Sequence, residues 1–324
     1  MTQYLEFEKP IKLIEEQIDQ LSANAESSGA AAMSAQLTKL KQNAERLLVE
    51  IYSKLDPWQK TQVARHQERP HFKDYVAALV TDFVELSGDR KYAEDAAIVG
   101  GLGRFLGRPC VIMGHEKGRT TTERLKHNFG MARPEGYRKA IRLMDMADRF
   151  NLPVVSLVDT AGAYPGLGAE ERGGAEAIAR STERCLSLGV PMVSVIVGEG
   201  GSGGAIAIAA ANTVLMLEHA VYSVISPESG ASILFRDAGR AKDVALAMRI
   251  TAESCLDFKV VDGIIKEPVG GAHRAPEQAI AAVGAAVAKA IDAFDGMDGD
   301  ALRRQRRQRF LAIGRMAETG APGR

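Results

Sequence analysis

The feature that most constrains this chain is a glycine-rich segment near its middle. Five of the nine residues from Val197 to Ala205 are glycine, and they join an apolar run to an alanine-rich one. Glycine loses more backbone entropy on folding than any other residue, so this density predicts positive φ angles or close backbone approach. An apolar run, glycines and then a helical pattern are typical of a tight strand-to-helix turn, whose free amides favour negative charge. The segment therefore predicts bare main-chain donors at a helix start.

Three interpretations of this 197–205 segment compete. Residues 198–203 fit the pattern GxGxxG, and Glu218 lies about 20 residues further on, as in dinucleotide-binding folds. Alternatively, the amides of Gly203 and Gly204 form an oxyanion hole for an oxygen that gains charge in a transition state. The third interpretation is a tight turn that only packs. A nucleotide fingerprint normally opens its domain, whereas several predicted strands come first here, which counts against a dehydrogenase.

A second glycine-rich loop, residues 159–168, follows the apolar run 153–158. Two glycine loops at the same end of adjacent strands would form a crevice, which is where open α/β sheets bind ligands. Tyr164 and Pro165 would give this crevice an apolar wall. A packed turn whose Tyr164 covers the core explains the same residues without a ligand.

A third cluster, residues 114–119, also follows a predicted strand. His115 beside Glu116 suggests acid–base chemistry, but a single histidine at a strand end is more often a hydrogen-bonded structural residue. Lys117 and Arg119 are candidates for anion contacts, and a solvated basic loop is the alternative. Lys117 and Arg119 are therefore the better functional candidates of this cluster.

Short apolar runs from about Trp58 onward predict buried strands, and the longer stretches between them predict helices. The predicted strands are 97–100, 109–113, 153–158, 192–197, 213–217 and 221–225. The predicted helices are 135–150, 173–188, 203–211, 242–248, 276–294 and 301–316. This alternation predicts an α/β fold in which helices cover a parallel or mixed sheet.

The N-terminal part has a different pattern. Spacings of three and four mark one apolar helical stripe from Ile11 to Leu21 and another from Leu37 to Ile51. Residues 22–34 between them are rich in alanine, serine and glycine and predict a mobile connection. Helices this short are marginal alone, so they must pack on the body or on a partner chain. We therefore expect a helical segment at 1–57 and one larger domain at 58–324.

Composition and missing motifs argue against several kinds of site. The 41 basic and 41 acidic side chains cancel, so nucleic acid is not an expected partner, and the basic run 303–309 is interpreted as a solvated helix face or a subunit contact. The three cysteines lie far apart, which disfavours disulfides and a cysteine-rich zinc site. There is no Walker lysine, no HExxH pattern and no apolar run of about 18 residues. We expect a cytoplasmic protein with no metal, no ATP chemistry and no membrane span of its own.

Several motifs, taken in order, resemble one family. They are WQ at 58–59, ARH at 64–66, IVGG at 98–101, residues 114–119, NFGM at 128–131, PEGYRKA at 134–140, the two glycine-rich segments and YSVISPE at 222–228. Together they resemble the alpha subunits of bacterial acetyl-CoA carboxylase carboxyltransferases, from the N-terminal helices to about Ala275. The chain departs from the usual family pattern in having Ala161 and Ala132 where prolines are common and Glu116 where a glutamine is usual.

The resemblance implies an α/β fold of the crotonase-like (ClpP/crotonase) kind, with a β-β-α spiral core and an N-terminal helical extension. It implies transfer of a carboxyl group from carboxybiotin, carried by a biotin carboxyl carrier protein, to acetyl-CoA, giving malonyl-CoA in the first committed step of fatty acid biosynthesis. A partner biotin carboxylase would use the ATP, and a zinc-ribbon beta subunit would complete an α2β2 assembly. Gly203 and Gly204 would be the catalytic donors. The biotin-binding residues would be Gly200, Gly201, Ser202, Gly162, Ala163, Tyr164 and Gly166.

Overall fold

The computed structural model describes residues 3–28 and 31–314. Its strands are β1 (Val80–Glu85), β2 (Ile98–Phe105), β3 (Arg108–His115), β4 (Val154–Thr160), β5 (Met192–Gly201), β6 (Thr213–Leu217), β7 (Val221–Ser223) and β8 (Gly263–Ile265). Its α-helices are α1 (Lys9–Ser28), α2 (Ala31–Tyr52), α3 (Pro57–Ala64), α4 (Phe72–Leu79), α5 (Thr121–Lys126), α6 (Pro134–Arg149), α7 (Leu167–Glu171), α8 (Gly174–Ser187), α9 (Ser202–Ala209), α10 (Pro227–Phe235), α11 (Ala241–Met248), α12 (Ala252–Asp257), α13 (Pro276–Asp292) and α14 (Gly299–Ala312).

The strands form one mixed sheet in the order β1-β2-β3-β4-β5-β6-β8, with β7 paired to β5. β1, β2 and β3 are antiparallel neighbours, and every pairing from β3 onward is parallel. Parallel neighbours need crossover connections, which here run through α6, α8 and α9. α9 packs on β4 and β5, α13 also packs on β5, and these inner strands are buried along their whole length.

This topology sets the position of the three clusters that the sequence singles out. β3, β4 and β5 run in the same direction, so their carboxyl ends meet at one edge of the sheet. Residues 114–119, the 159–168 loop and the 197–205 segment all lie at that edge. The parallel sheet therefore brings together residues that are more than 80 positions apart in the chain.

The α/β prediction and all six predicted strands and six predicted helices are confirmed, with shifted ends. β5 continues beyond the predicted end at residue 197 and takes in the first glycines of the 197–205 segment. The predicted end of the last helix at Met316 lies outside the described residues. The sequence prediction missed β1, an edge strand whose pairing is interrupted between Thr81 and Val84, and β8, which has three residues. An irregular edge strand and a very short one lack the alternating pattern that identifies a strand.

Residues 22–28 and 31–34, which the sequence predicts to belong to a mobile connection, are helical in the structure. α1 continues to Ser28 and α2 begins at Ala31. Alanine is the best helix former, so an alanine-rich stretch without large apolar side chains still propagates a helix when α1 and α2 pack together. Glu8 also ties the N-terminal segment to the rest of the chain, since its buried carboxylate accepts hydrogen bonds from Tyr52 and Arg274. The division at residues 57 and 58 stays a prediction.

The basic C-terminal helix α14 is more than the solvated face that its charge suggests. Arg306 is 0% exposed, and its guanidinium donates to the carbonyl oxygens of Leu188 (2.8 Å) and Val190 (2.9 Å) and to the side-chain oxygen of Asn212. Arg309 pairs with Asp262 at 2.7 Å. A buried guanidinium is retained only where acceptors surround it, so this face of α14 anchors the helix on the segments that precede β5, β6 and β8.

Candidate functional site

The two glycine-rich segments converge at the edge of the sheet. Thr160 and Gly200 are partners in the pairing of β4 with β5. A methyl group built on Gly201 would lie 2.2 Å from the carbonyl carbon of Ala161, and one on Gly204 would lie 2.7 Å from that of Gly162. No side chain fits at such distances, so glycine is required at both positions because two backbones touch.

Close approach, and not positive φ, accounts for the glycines of the 197–205 segment. None of its five glycines has a positive φ; the residue that does is Ser202, at 50°. Ser202 is the first residue of α9, directly after the last residue of β5. A non-glycine residue in this conformation is uncommon and is held by its surroundings. The chain therefore turns from strand to helix at Ser202, within one residue.

The start of α9 carries free amides. The amides of the N-cap residue and of the first three helical residues have no partner within a helix, and here they belong to Gly201, Ser202, Gly203 and Gly204. No described residue outside the regular helices and strands accepts a hydrogen bond from the amides of Gly203 and Gly204. Gly203 is half-buried and Gly204 is buried. These amides are arranged to meet an acceptor that is not part of the helix.

The 159–168 loop offers one further free donor. The amide of Gly162 donates to the hydroxyl of Thr160 at 3.1 Å, and the amide of Tyr164 donates to the carbonyl of Ala132 at 3.0 Å. Between them, Ala163 makes no backbone hydrogen bond with the described loop residues, and its nitrogen would lie 2.8 Å from a methyl group on Gly204. The Ala163 amide therefore lies beside the start of α9.

Tyr164 and Gly166 lie at the far side of the same loop. A methyl group on Gly166 would lie 2.3 Å from ring atoms of Tyr164, so Gly166 makes room for the half-buried ring. The guanidinium of Arg133 lies over the ring of Tyr164, 5.0 Å from the ring centroid. Gly200 faces Tyr222, which would meet its added methyl group at 2.7 Å. These contacts fix the positions of Tyr164 and Tyr222 beside the two glycine-rich segments.

A cavity of about 280 Å³ opens at the carboxyl ends of β3, β4 and β5. Its lining joins the two glycine-rich segments, through Ala161 and Glu199, to Lys117 and Phe129. Phe129 adopts a φ of 55° and its side chain is 46% exposed. A bulky residue in the left-handed region is strained, and such strain concentrates at functional sites.

Five charged side chains form a network around this cavity, which sequence reasoning did not identify. Lys117 contacts Asp159 (2.7 Å) and Glu199 (3.1 Å), and Arg65 contacts Glu199 (2.7 Å) and also pairs with Glu228. The chain order offered no signal for these pairs, because their members come from five different elements or loops. Lys117 was expected to contact an anion, and the anions that it contacts are carboxylates of the chain itself. Arg119 similarly pairs with Asp74, at 2.7 Å.

His115 and Glu116, the two residues before Lys117, are buried and lie within the fold. Glu116 is buried, and its carboxylate accepts the amides of Lys73 (3.0 Å), in the first turn of α4, and of Gly118 (2.8 Å). A carboxylate is stabilised at a helix start, which explains an acid at this position. The expectation of a hydrogen-bonded His115 is wrong, because both ring nitrogens are buried without a partner among the described residues.

His115 makes the fold sensitive to acid. Burial lowers its pKa from 6.5 to about 4, and Lys117 adds to this effect while the Asp159 carboxylate opposes it. The unfolded chain therefore binds a proton that the folded chain does not, so stability is complete above pH 6.5 and falls as the pH drops towards 4. We expect His115→Leu to reduce the loss of unfolding free energy between pH 7.5 and pH 5 by about 2 kcal/mol. Urea unfolding at both pH values measures this, and an equal acid loss in both proteins would contradict it.

The structure argues against a dinucleotide-binding role for the 197–205 segment. Glu218, the residue that a ribose would need, has its carboxylate bound to Lys266 (2.7 Å) and to the amide of Glu267 (3.2 Å). The GxGxxG pattern, residues 198–203, begins within β5, an inner strand, and does not follow the first strand of the sheet.

Two features are absent from residues 3–28 and 31–314. No group of three or more His, Cys, Asp or Glu side chains stands where it could hold a metal ion. No described helix combines the length and apolar character that crossing a membrane requires.

The chain is similar to known proteins in sequence and in fold. Residues 4–314 match the family model described as acetyl co-enzyme A carboxylase carboxyltransferase-like. The chain is 64% identical over 312 residues to "Acetyl-coenzyme A carboxylase carboxyl transferase subunit alpha" of Caulobacter vibrioides (strain NA1000 / CB15N), covering 96% of this chain and 98% of the relative. It is 61% identical over 315 residues to the protein of the same name from Methylobacterium nodulans, covering 97% and 99%.

Two solved structures share the fold. The transcarboxylase 12S structure has a TM-score of 0.57 and 20% identity, and the match covers 72% of this chain and 44% of that one. The beta subunit of geranyl-CoA carboxylase from P. aeruginosa has a TM-score of 0.54 and 15% identity, covering 76% and 46%. This chain thus spans less than half of either solved chain, and at these identities they show the fold alone, confirming the crotonase-like α/β prediction. Its family model and its near-full-length relatives place the chain in the family of acetyl-CoA carboxylase carboxyltransferase alpha subunits.

Proposed function

We propose that this chain receives carboxybiotin at the start of α9 and supports transfer of its carboxyl group to acetyl-CoA, giving malonyl-CoA. The observation that carries the proposal is the group of free amides at Gly203, Gly204 and Ala163, held together by a contact that only glycine allows. Family membership supplies the reaction, and these amides supply a place for it.

The amides fit the chemistry of a carbonyl acceptor. Bound carboxybiotin would supply a transferable carboxyl group on a ring whose carbonyl oxygen gains negative charge as that group leaves. Main-chain donors fixed at a helix start stabilise such charge more than they stabilise the ground state, because they need no reorganisation. The N-terminal end of the helix dipole also stabilises negative charge. Gly203, Gly204 and Ala163 would therefore act as the donors, while Gly162, Tyr164, Gly166, Gly200, Gly201 and Ser202 shape their surroundings.

The name "subunit alpha" of the relatives supports a beta subunit as partner. We propose that the beta subunit carries a zinc ribbon and forms an α2β2 assembly with this chain. The further proposed partners are a biotin carboxyl carrier protein and a biotin carboxylase that uses ATP, and the proposed location is the cytoplasm. An apolar cavity of about 320 Å³ next to α9 supports a docked subunit there. Its lining runs from Ser202 and Ile206 to Val224, whose side chain is 75% exposed, and Phe258. Exposed apolar surface beside a reaction site is typical of a protein interface.

We expect Val224→Asp to weaken the binding of the beta subunit at least tenfold. A carboxylate placed in an apolar contact loses its hydration without gaining a partner, whereas an exposed substitution changes the stability of the free chain little. Val269→Asp is the matched control, because Val269 is 53% exposed and lies outside this cavity. Titration of the beta subunit against each variant measures the effect, and equal affinities for the two variants would contradict it.

The decisive test of the function is reconstitution. The chain is co-purified with a zinc-ribbon beta subunit, and carboxyl transfer from malonyl-CoA to biocytin is measured as the release of acetyl-CoA. We expect activity that requires both chains. If the beta subunit alone reached the same rate, the chain would be a scaffold and the proposal would fail.

A further inference from the structure

The ammonium group of Lys117 lies between the two glycine-rich segments. It contacts Asp159, the first residue of the 159–168 loop, and Glu199, within the 197–205 segment, at 2.7 and 3.1 Å. We propose that Lys117 is a positioning residue that holds these segments at the separation which carboxyl transfer requires. This inference rests on the proposed function, because it concerns the amides of Ala163, Gly203 and Gly204.

The two carboxylates cannot hold this arrangement by themselves. Asp159 and Glu199 are buried, and both come within hydrogen-bond distance of one ammonium group. Like charges this close repel strongly inside a protein. Burial alone would lower the pKa of Lys117, but the two carboxylates outweigh burial and raise it, so the side chain stays charged. Lys117 therefore turns a repulsive pair into an attractive bridge.

Neighbouring groups do not replace this bridge. Arg65 reaches Glu199 and Glu228, and the structure gives it no contact with Asp159. His115 is neutral near pH 7 because burial lowers its pKa to about 4. Arg69 donates to the carbonyl oxygen of Val197 and pairs with Glu267. Among the described residues, Lys117 is thus the cation that contacts both carboxylates.

The bridge is tightly connected to the backbone of both segments. The carboxylate of Asp159 also accepts the amide of Glu199 at 2.9 Å, and a methyl group on Gly198 would lie 2.4 Å from the same oxygen. A methyl group on Gly130 would lie 3.0 Å from the side chain of Lys117, so the lysine stem is packed as well. From Asp159 the chain reaches Ala163 in four residues, and from Glu199 it reaches Gly203 in four. A shift at the bridge is therefore passed on to the donors.

The first test is Lys117→Met in the complex with the beta subunit. We expect kcat for carboxyl transfer from malonyl-CoA to biocytin to fall on the order of 100-fold at pH 8, as small misplacements of reacting groups do. KM for malonyl-CoA should change little, because a residue that only positions the two segments makes no contact with that substrate. The deficit should shrink as the pH falls towards 6, since one of the two unbridged carboxylates then takes up a proton and the repulsion ends.

The second test adds Asp159→Asn. Its amide keeps an oxygen for the Glu199 amide and brings a donor for the Glu199 carboxylate. Alone, Asp159→Asn should lower kcat, because it breaks a good ion pair. In the Lys117→Met background the same substitution should raise kcat about tenfold and flatten the pH profile, because one of the repelling charges is gone. This reversal of sign distinguishes charge positioning from direct contact with a substrate.

Two outcomes would overturn the inference. If the double variant were no more active than Lys117→Met, Lys117 would act by something other than its bridge. If Lys117→Met lowered the melting temperature but left kcat at the wild-type value, the network would serve stability alone. Failure of the proposed function is seen separately, as a wild-type complex without carboxyl transfer.

Discussion

Gly204→Val is expected to abolish carboxyl transfer, lowering kcat on the order of 1,000-fold or more. The first added carbon alone would lie 2.7 Å from the carbonyl carbon of Gly162 and 2.8 Å from the nitrogen of Ala163. The 159–168 loop must then move away from α9, which separates the Ala163 amide from the helix donors. Loss of one such donor costs about 3 kcal/mol in comparable sites, and here more than one is displaced. Release of acetyl-CoA from malonyl-CoA in the presence of biocytin measures the loss.

Gly203→Ala is the matched control for this prediction. An added methyl group at Gly203 would meet only the flexible side chain of Ile178, at 3.3 Å, and the amide stays in place. Alanine is also favoured in a helix. We expect a loss smaller than tenfold, with the beta subunit bound normally by both variants. Equal losses in the two variants, or normal turnover by Gly204→Val, would contradict the role of these amides.

Arg69→Met is expected to destabilise the chain by about 3–5 kcal/mol, because it leaves a buried carboxylate without its partner. Arg69 donates twice to Glu267, at 2.8 and 2.9 Å, and once to the carbonyl oxygen of Val197, at 2.8 Å. The Arg69 contact with Val197 also fixes the entry to the 197–205 segment. Urea unfolding of the full chain at pH 7.5 measures the loss.

The pH dependence of this variant gives a second readout. Burial alone would raise the pKa of Glu267, but Arg69 outweighs burial and lowers it from 4.5 to about 2. The ionised carboxylate therefore contributes stability above pH 4.5, which is lost as the pH falls towards 2. Without Arg69, burial dominates and the group takes up a proton at higher pH. The difference in stability between the two proteins should thus become smaller as the pH falls.

Two further variants test the cause. Arg180→Met removes an arginine that is 63% exposed and pairs with Glu176 and Glu183, and it should cost less than about 1 kcal/mol. Adding Glu267→Gln to Arg69→Met removes the unpaired charge and should restore part of the stability. If the double variant were as unstable as the single one, the loss would come from packing and not from charge.

The sequence alone determined the local parts of this protein. The strands β2 to β7, the predicted helices and both glycine-rich segments follow from periodicity and from glycine chemistry, which act over a few neighbouring residues. Even the meeting of the two segments was predictable, because parallel strands bring their carboxyl ends to one edge. The ordered motifs indicated the family, and the comparisons confirm it.

Only the tertiary structure decided how these parts meet. Gly201 and Gly204 are required because they touch residues about forty positions away, and the amide of Gly162 is taken by Thr160 while that of Ala163 stays free. Lys117 contacts two carboxylates of its own chain, and Arg306 is buried although its helix looks solvated. Apart from the local bond between Gly162 and Thr160, each of these depends on contacts between residues far apart in the chain. Local patterns record which face of an element is apolar, but they do not record which atoms of another element will lie against it.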